Sequence, residues 1–259
     1  ERLTLAGSEP ALTIDAKGMY YRELNARLRE AVATGTRKVV LLNVVGQRYI
    51  GTDLPGPLEI EIYGTPGNDL AAFMDGPTLT VHGNLQDGCG NTMNSGLIVA
   101  HGRAGDALGD ITGYSMRQGK IFVRDDVGYR AGIHMKQYED KIPTLVVGGT
   151  AQPFLGEYMA GGRLLVLGLG LAEGERHRAD FIGTGMHGGV IYIRGLVEER
   201  QLGKEVGVRE LEAEDWACVR SLVREYAGHF GCDAEAILGG RFLKLLPLSL
   251  RPYGRLYAY

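Results

Sequence analysis

The 259-residue sequence is poor in cysteine, proline, tryptophan and long apolar runs. Its three cysteines, Cys89, Cys218 and Cys232, are widely spaced and form no C-x-x-C pair. That pattern argues against a disulfide framework and against iron–sulfur ligation in this chain, and it fits a reducing cytoplasm. No stretch approaches the ~18 consecutive apolar residues that a membrane helix needs. The opening ERLTLAGSEP has no basic-then-apolar leader pattern. Basic residues number 28 against 31 acidic, for a net charge of -3. They are scattered, so nothing suggests a nucleic-acid partner. What is in surplus is glycine: 40 residues, about twice the usual ~7%. With only nine prolines and 44% hydrophobic residues, this is not a disordered tract but a chain able to bury a large core.

The glycines recur with methionine. Six of the seven methionines stand in AAFM (71–74), GNTM (90–93), GYSM (113–116), GIHM (132–135), GEYM (156–159) and GTGM (183–186). Five read G-x-x-M, pairing Gly90 with Met93, Gly113 with Met116, Gly132 with Met135, Gly156 with Met159 and Gly183 with Met186. The intervals between the methionines are 19, 23, 19, 24 and 27, a unit of 19 with short insertions. The segment 41–56 is a degenerate copy, with Leu54 in the methionine place.

Between these phrases run EIEIYG, TLTVHG, LIVAHG, KIFVRD, TLVVGG, LLVLG and VIYIRG. Four places before the closing glycine lie Ile60, Leu79, Ile98, Ile121, Leu145, Leu164 and Ile191. Two places before it lie Ile62, Val81, Ala100, Val123, Val147, Val166 and Ile193. Such alternation marks strands with one buried face. Identical units of this length stack as a parallel β-solenoid, mainly β, of about seven to eight coils. Glycine suits the corners, where it permits positive φ and close approach of coils. Methionine then points inward and fills irregular space. Asp125 stands where the closing glycine is expected, which alters the turn locally.

The flanks read differently. Residues 19–35 carry Tyr20, Leu24, Leu28 and Ala31 at helical spacing, a cap for the first coil. Residues 208–229 form an amphipathic helix burying Leu211, Trp216, Val219, Leu222 and Val223, and a shorter helix starts at Asp233. The apolar tail FLKLLPLSLRPYGRLYAY runs extended along the solenoid or into a partner. Three units result: a cap over 1–38, the glycine-rich solenoid over 39–196, and a helical extension with its tail over 197–259.

Candidate chemistry is thin. Tyr63, His82, His101 and Arg124 hold one position in successive coils, and Arg194 returns to it later. They read as a metal or anion site, or as an outward polar stripe; two histidines without further ligands at tetrahedral spacing favour the stripe. Asp87, Asp106, Asp110, Asp125 and Asp126 read as a calcium-binding or sugar-hydrolysing set, or as turn formers; their place beside corner glycines favours the turn-forming role. GLGLAEG (168–174) lacks G-x-G-x-x-G spacing and follows a solenoid strand. Cys89 has no basic neighbour in sequence to activate it, and 136–141 reads as a solvated loop tip. No catalytic, cofactor-binding or metal-ligating set is expected in this chain.

The segment IEIYGTPGNDLAAFMDGPTLTVHGNLQDGCGNTMNSGLIVAHGRAGD, with KIFVRDDVGYRAGIHMK and VVGGTAQPFLGEYMAGG, resembles the glycine-repeat (GXGXG) C-terminal domain of the glutamate synthase large subunit. The superfamily also includes one of the subunits of formylmethanofuran dehydrogenase and one of those of N-methylglutamate synthase. The resemblance implies a right-handed β-helix that braces a glutamine amidotransferase against an FMN- and iron–sulfur-bearing synthase. It implies a free-standing scaffold polypeptide, with FMN and the iron–sulfur cluster on partner subunits; a self-associating structural protein, forming a homo-oligomer, is a further alternative. The rival of another class is an independent β-helix enzyme acting on polysaccharide, which would need a groove of paired carboxylates.

Overall fold

The two aliphatic columns stand in register. In a computed structural model, which describes residues 11–105 and 111–248, nine strands pair in parallel in chain order. They are β1 (Leu12–Asp15), β2 (Lys38–Val45), β3 (Glu59–Thr65), β4 (Asp75–His82), β5 (Ser95–Ala100), β6 (Lys120–Val123), β7 (Thr144–Val147), β8 (Ala160–Val166) and β9 (Gly188–Arg194). Ile60 pairs with Leu79, and the line continues through Ile98, Ile121, Leu145 and Leu164 to Ile191. The second column, from Ile62 to Ile193, is equally continuous. Both columns are buried throughout.

The solenoid is shorter than the seven to eight coils expected. Ile60 and Ile191 are joined by six pairings, hence about six turns. At the N-terminal end β2 is bulged between Leu41 and Val44. Between β1 and β2 the chain forms helix α1 (Tyr21–Ala33) instead of another winding. Leu24, Leu28 and Ala31 of α1 close the bottom of the core. Strand β1 within this flank had no repeat signature, being four residues long.

The corners are sharper than glycine alone suggested. Gly90, Gly113, Gly132, Gly156 and Gly183 have φ between 66° and 73°, and Ala71 adopts 60° in the same place. At three of these corners the residue two positions before and the residue two after are left-handed non-glycines: Asp69 and Phe73, Arg130 and His134, Phe154 and Tyr158. A left-handed non-glycine residue costs roughly 1–2 kcal/mol. The cost is offset because these amides bond alternate neighbours: Asp69 N–H donates to Asp87 in the next coil, Ala71 N–H to Ile50 in the previous one, and Phe73 N–H to Asn91 in the next. Each repeat methionine donates its N–H to the residue three before it, at 2.9–3.3 Å. Met74, Met93, Met116, Met135, Met159 and Met186 are all buried, as is Leu54 in the degenerate copy.

Beyond β9 come β10 (Val206–Arg209), α2 (Ala213–Phe230), α3 (Ala234–Leu238) and β11 (Phe242–Pro247). The helix expected from 208 starts at Ala213, because Val208 and Arg209 pair with Leu245 and Lys244 instead. Strand β11 runs antiparallel between β9 and β10, so the tail covers the last coil edge. The stretch of the tail from 249 onward lies outside the described residues. Helix α2 then turns back along the outer face of the sheet. Residues three before the closing glycine point outward, and from Phe122 through Val146 and Leu165 to Tyr192 they are buried beneath Val219, Leu222, Val223 and Tyr226. Burying those four helix side chains gives about 6–12 kcal/mol as an upper value. Eighteen residues of helix span about 27 Å, between five and six inter-coil steps of ~4.8 Å.

Candidate functional site

The predicted polar stripe exists as a stack of rings. Tyr63 pairs with His82 across β3 and β4, with ring centroids 4.3 Å apart and nearly parallel planes. His82 stacks on His101 at 5.2 Å, and His101 meets Phe230 of α2 edge-on at 5.2 Å. Glu61 anchors the open end of the stack. It accepts from Lys38 Nζ at 2.7 Å and from the Tyr63 hydroxyl at 3.2 Å, and lies 4.0 Å from His82 Nε2. The Lys38 hydrogen bond holds the Glu61 carboxyl below the usual range. Burial, then the neighbouring His82, Arg124 and His229, lowers the His101 pKa, which favours a neutral ring at neutral pH. Arg124 continues the column, but its guanidinium is taken by Asp125 through two bonds of 2.9 Å. Arg194 does separate work. Its Nε donates to the Ile237 carbonyl at 2.9 Å and ties α3 to the last coil. Among the described residues no three His, Cys, Asp or Glu side chains converge on a metal-sized point. The stripe therefore runs as stacked ring faces from one anchored carboxylate, Glu61, to Phe230 at the C-terminal end of α2.

Two polar contacts fix that helix. Tyr226 donates its hydroxyl to the Arg124 carbonyl at 2.9 Å, through a gap that exists because Gly148 has no side chain. At the other end Asp215 accepts from Tyr192 at 2.7 Å, from Lys244 at 2.6 Å and from the Glu212 N–H at 2.9 Å. Burial pushes the Asp215 carboxyl up, but the Lys244, Glu212 and Tyr192 bonds outweigh it and the net direction is down. Sequence reading missed both. Their signal was the outward column turning from Glu61 and Thr80 to Val99 and Phe122, which calls for a cover.

The other candidates resolve into structure. Asp126 accepts from the Thr150 N–H of the next coil at 2.6 Å, a bond between coils and not within its own turn; Asp106 and Asp110 lie outside the described residues. The 168–174 loop borders a cavity of about 370 Å³ that also includes Arg194 and Arg241. Its Gly168 packs on the His177 ring. Burial lowers the His177 pKa, and the neutral ring's Nε2 sits 2.8 Å from the Arg194 carbonyl. Cys89 is buried in the core. The repeat residues, from Gly90 and Met93 to Gly183 and Met186, line the interior corner rather than a surface site.

The GXGXG motif family matches over residues 19–247. The chain belongs to the GXGXG family. It is 46% identical over 254 residues to an uncharacterised protein of Methanocaldococcus jannaschii, covering 95% of this chain and 96% of that protein. It is 29% identical over 235 residues to ferredoxin-dependent glutamate synthase 2 of Synechocystis, covering 83% of this chain but 14% of that protein. With the ferredoxin-dependent glutamate synthase of Pyropia yezoensis it shares 29% over 167 residues, or 61% of this chain and 10% of that protein. Among solved structures, a chain in the crystal structure of the formyltransferase/hydrolase complex FhcABCD from Methylorubrum extorquens, with methylofuran bound, has the same fold. The TM-score is 0.58 with 18% identity, over 95% of both chains. The fold thus recurs as a segment of much longer glutamate synthases and within an assembly of several chains. No described helix is long and apolar enough to cross a membrane.

Proposed function

We propose that this chain is a non-catalytic scaffold subunit of a cytoplasmic glutamate synthase-type complex, which converts glutamine and 2-oxoglutarate to glutamate. It would brace an amidotransferase component against a synthase component, with FMN and the iron–sulfur cluster carried by the latter. One observation carries the reading: the chain spans nearly all of its Methanocaldococcus jannaschii relative but only 10–14% of the two ferredoxin-dependent glutamate synthases. The region that matches a segment of those long polypeptides has both solenoid ends covered here, by α1 at one end and by β11 and β10 at the other. The physical character agrees. Six turns locked by inter-coil hydrogen bonds, with a helix clamped along the outside, make a stiff spacer. Stiffness matters because small misplacement of reacting groups is costly in rate.

The second reading is the corresponding subunit of a formyltransferase/hydrolase-type or formylmethanofuran dehydrogenase-like complex. The full-length structural match, 95% of both chains, favours it. Isolation of the tagged chain from its native cells separates the two. Co-isolation of an amidotransferase and a flavin- and iron–sulfur-bearing subunit is expected. Partners bearing tungsten or molybdenum would support the second reading. Glutaminase or glutamate-forming activity in the isolated chain would overturn the scaffold assignment.

A further inference from the structure

The residue that follows each repeat methionine forms a column of its own. Asn94, Arg117, Lys136, Ala160 and His187 each donate their N–H to the carbonyl of the preceding coil's methionine at 2.8–3.1 Å, and Asp75 donates to Leu54 at 3.0 Å. These side chains are therefore stacked one coil apart. Asp75, Asn94, Arg117 and Lys136, with Tyr138 and Lys141 from the adjoining hairpin, line a groove of about 600 Å³. We infer that this groove is the docking track for an extended, acidic segment of a partner polypeptide.

Three features select that occupant. The first is charge. Arg117, Lys136 and Lys141 make no ion pair among the described residues. They face one lining carboxylate, Asp75, which already accepts from Ser95. This cationic surface stands on a protein of net charge -3, so it is a local feature. The second is length. Four stacked rows span about 14 Å, the reach of roughly four extended residues, whereas a single small anion engages one row. The third is composition. Tyr138 is 53% exposed on the groove, and the adjoining row, one residue before each methionine, exposes Phe73 at 48% and Tyr158 at 38%. Exposed aromatics beside arginine are the anchors that protein interfaces favour. The wall's backbone amides are already spent on the coil ladder, so recognition is by side chains and not by strand addition.

The inference rests on reading the chain as one component of an assembly, but its test needs no other subunit. A fluorescein-labelled hexaglutamate peptide is titrated into the full-length protein and followed by anisotropy. Saturable, salt-sensitive binding is expected. It should weaken by about tenfold or more in the Arg117→Glu/Lys136→Glu/Lys141→Glu variant. A control with the same charge change on other exposed residues, Lys17→Glu/Arg29→Glu/Lys204→Glu, should leave it within about twofold. Lys141→Glu alone, on the exposed hairpin, preserves the coils and should show the same direction. Equal binding by the groove and control variants, or no saturable binding by the native chain, overturns the inference. So does displacement of the peptide by millimolar phosphate or succinate, which would assign the groove to a small anion. Failure of this assay leaves the assembly reading intact, since tag isolation tests that separately.

Discussion

Two glycine columns should respond differently to the same added methyl group. At Gly113 an added Cβ meets nothing closer than 3.9 Å, so the penalty is the left-handed backbone alone, at φ 73°. That costs roughly 1–2 kcal/mol, partly offset by about 0.4–1 kcal/mol from a less flexible unfolded chain. Gly113→Ala should therefore destabilise by about 1 kcal/mol, in keeping with Ala71, which already occupies the equivalent corner at φ 60°. Gly83 belongs to the closing column. Its φ is unexceptional, but an added Cβ would lie 2.2 Å from the Gly64 carbonyl oxygen of the coil before it. Neither atom can swing away, because the Cβ is fixed to the Gly83 backbone and the oxygen to the Gly64 backbone. Gly83→Ala must push adjacent coils apart and lengthen inter-coil hydrogen bonds, at about 3–5 kcal/mol. Urea unfolding followed by circular dichroism measures both, compared by midpoint since a solenoid need not unfold in one step. Equal losses at the two sites, or a larger loss at Gly113, would refute the view that close approach of coils governs the closing column.

Other outcomes follow from the core and its clamp. Met135→Ala should cost about 2–5 kcal/mol, because the side chain is fully buried between coils and the ladder limits collapse around the void; thermal unfolding reads this directly. Asp215 has a lowered folded-state pKa, so its contribution is present above the unfolded value near 4 and is lost as pH falls through the folded value. Asp215→Asn should flatten that acid limb in unfolding measured across pH 2–5, with loss at neutral pH as the clamp on α2 weakens; an unchanged limb would place the acid sensitivity elsewhere.

The solenoid was legible because its constraints repeat. One aliphatic position cannot specify a fold, but seven at matched offsets can, since each sits on the one before. Val208 and Arg209 were misread as helical because five residues fit either period, and only pairing with β11 decides between them. The left-handed residues flanking the corners left no trace: an aspartate (Asp69), an arginine (Arg130) and two phenylalanines (Phe154, Phe181) share no common side-chain chemistry, and bonds such as Asp69 N–H to Asp87 and Arg130 N–H to Pro153 hold that backbone between coils. The groove was missed for a related reason. Arg117 and Lys136 lie 19 residues apart in sequence, and each alone reads as an ordinary solvated charge. Their relation shows only when the residue after every methionine is read as a column.

The most direct test of the account is the coupling of two half-reactions in an assembly reconstituted with and without this chain. Without it, the amidotransferase should still hydrolyse glutamine and the synthase should still use free ammonia, while glutamine-dependent glutamate formation collapses. Glutamine-dependent synthesis that proceeds undiminished without the chain would contradict the scaffold role.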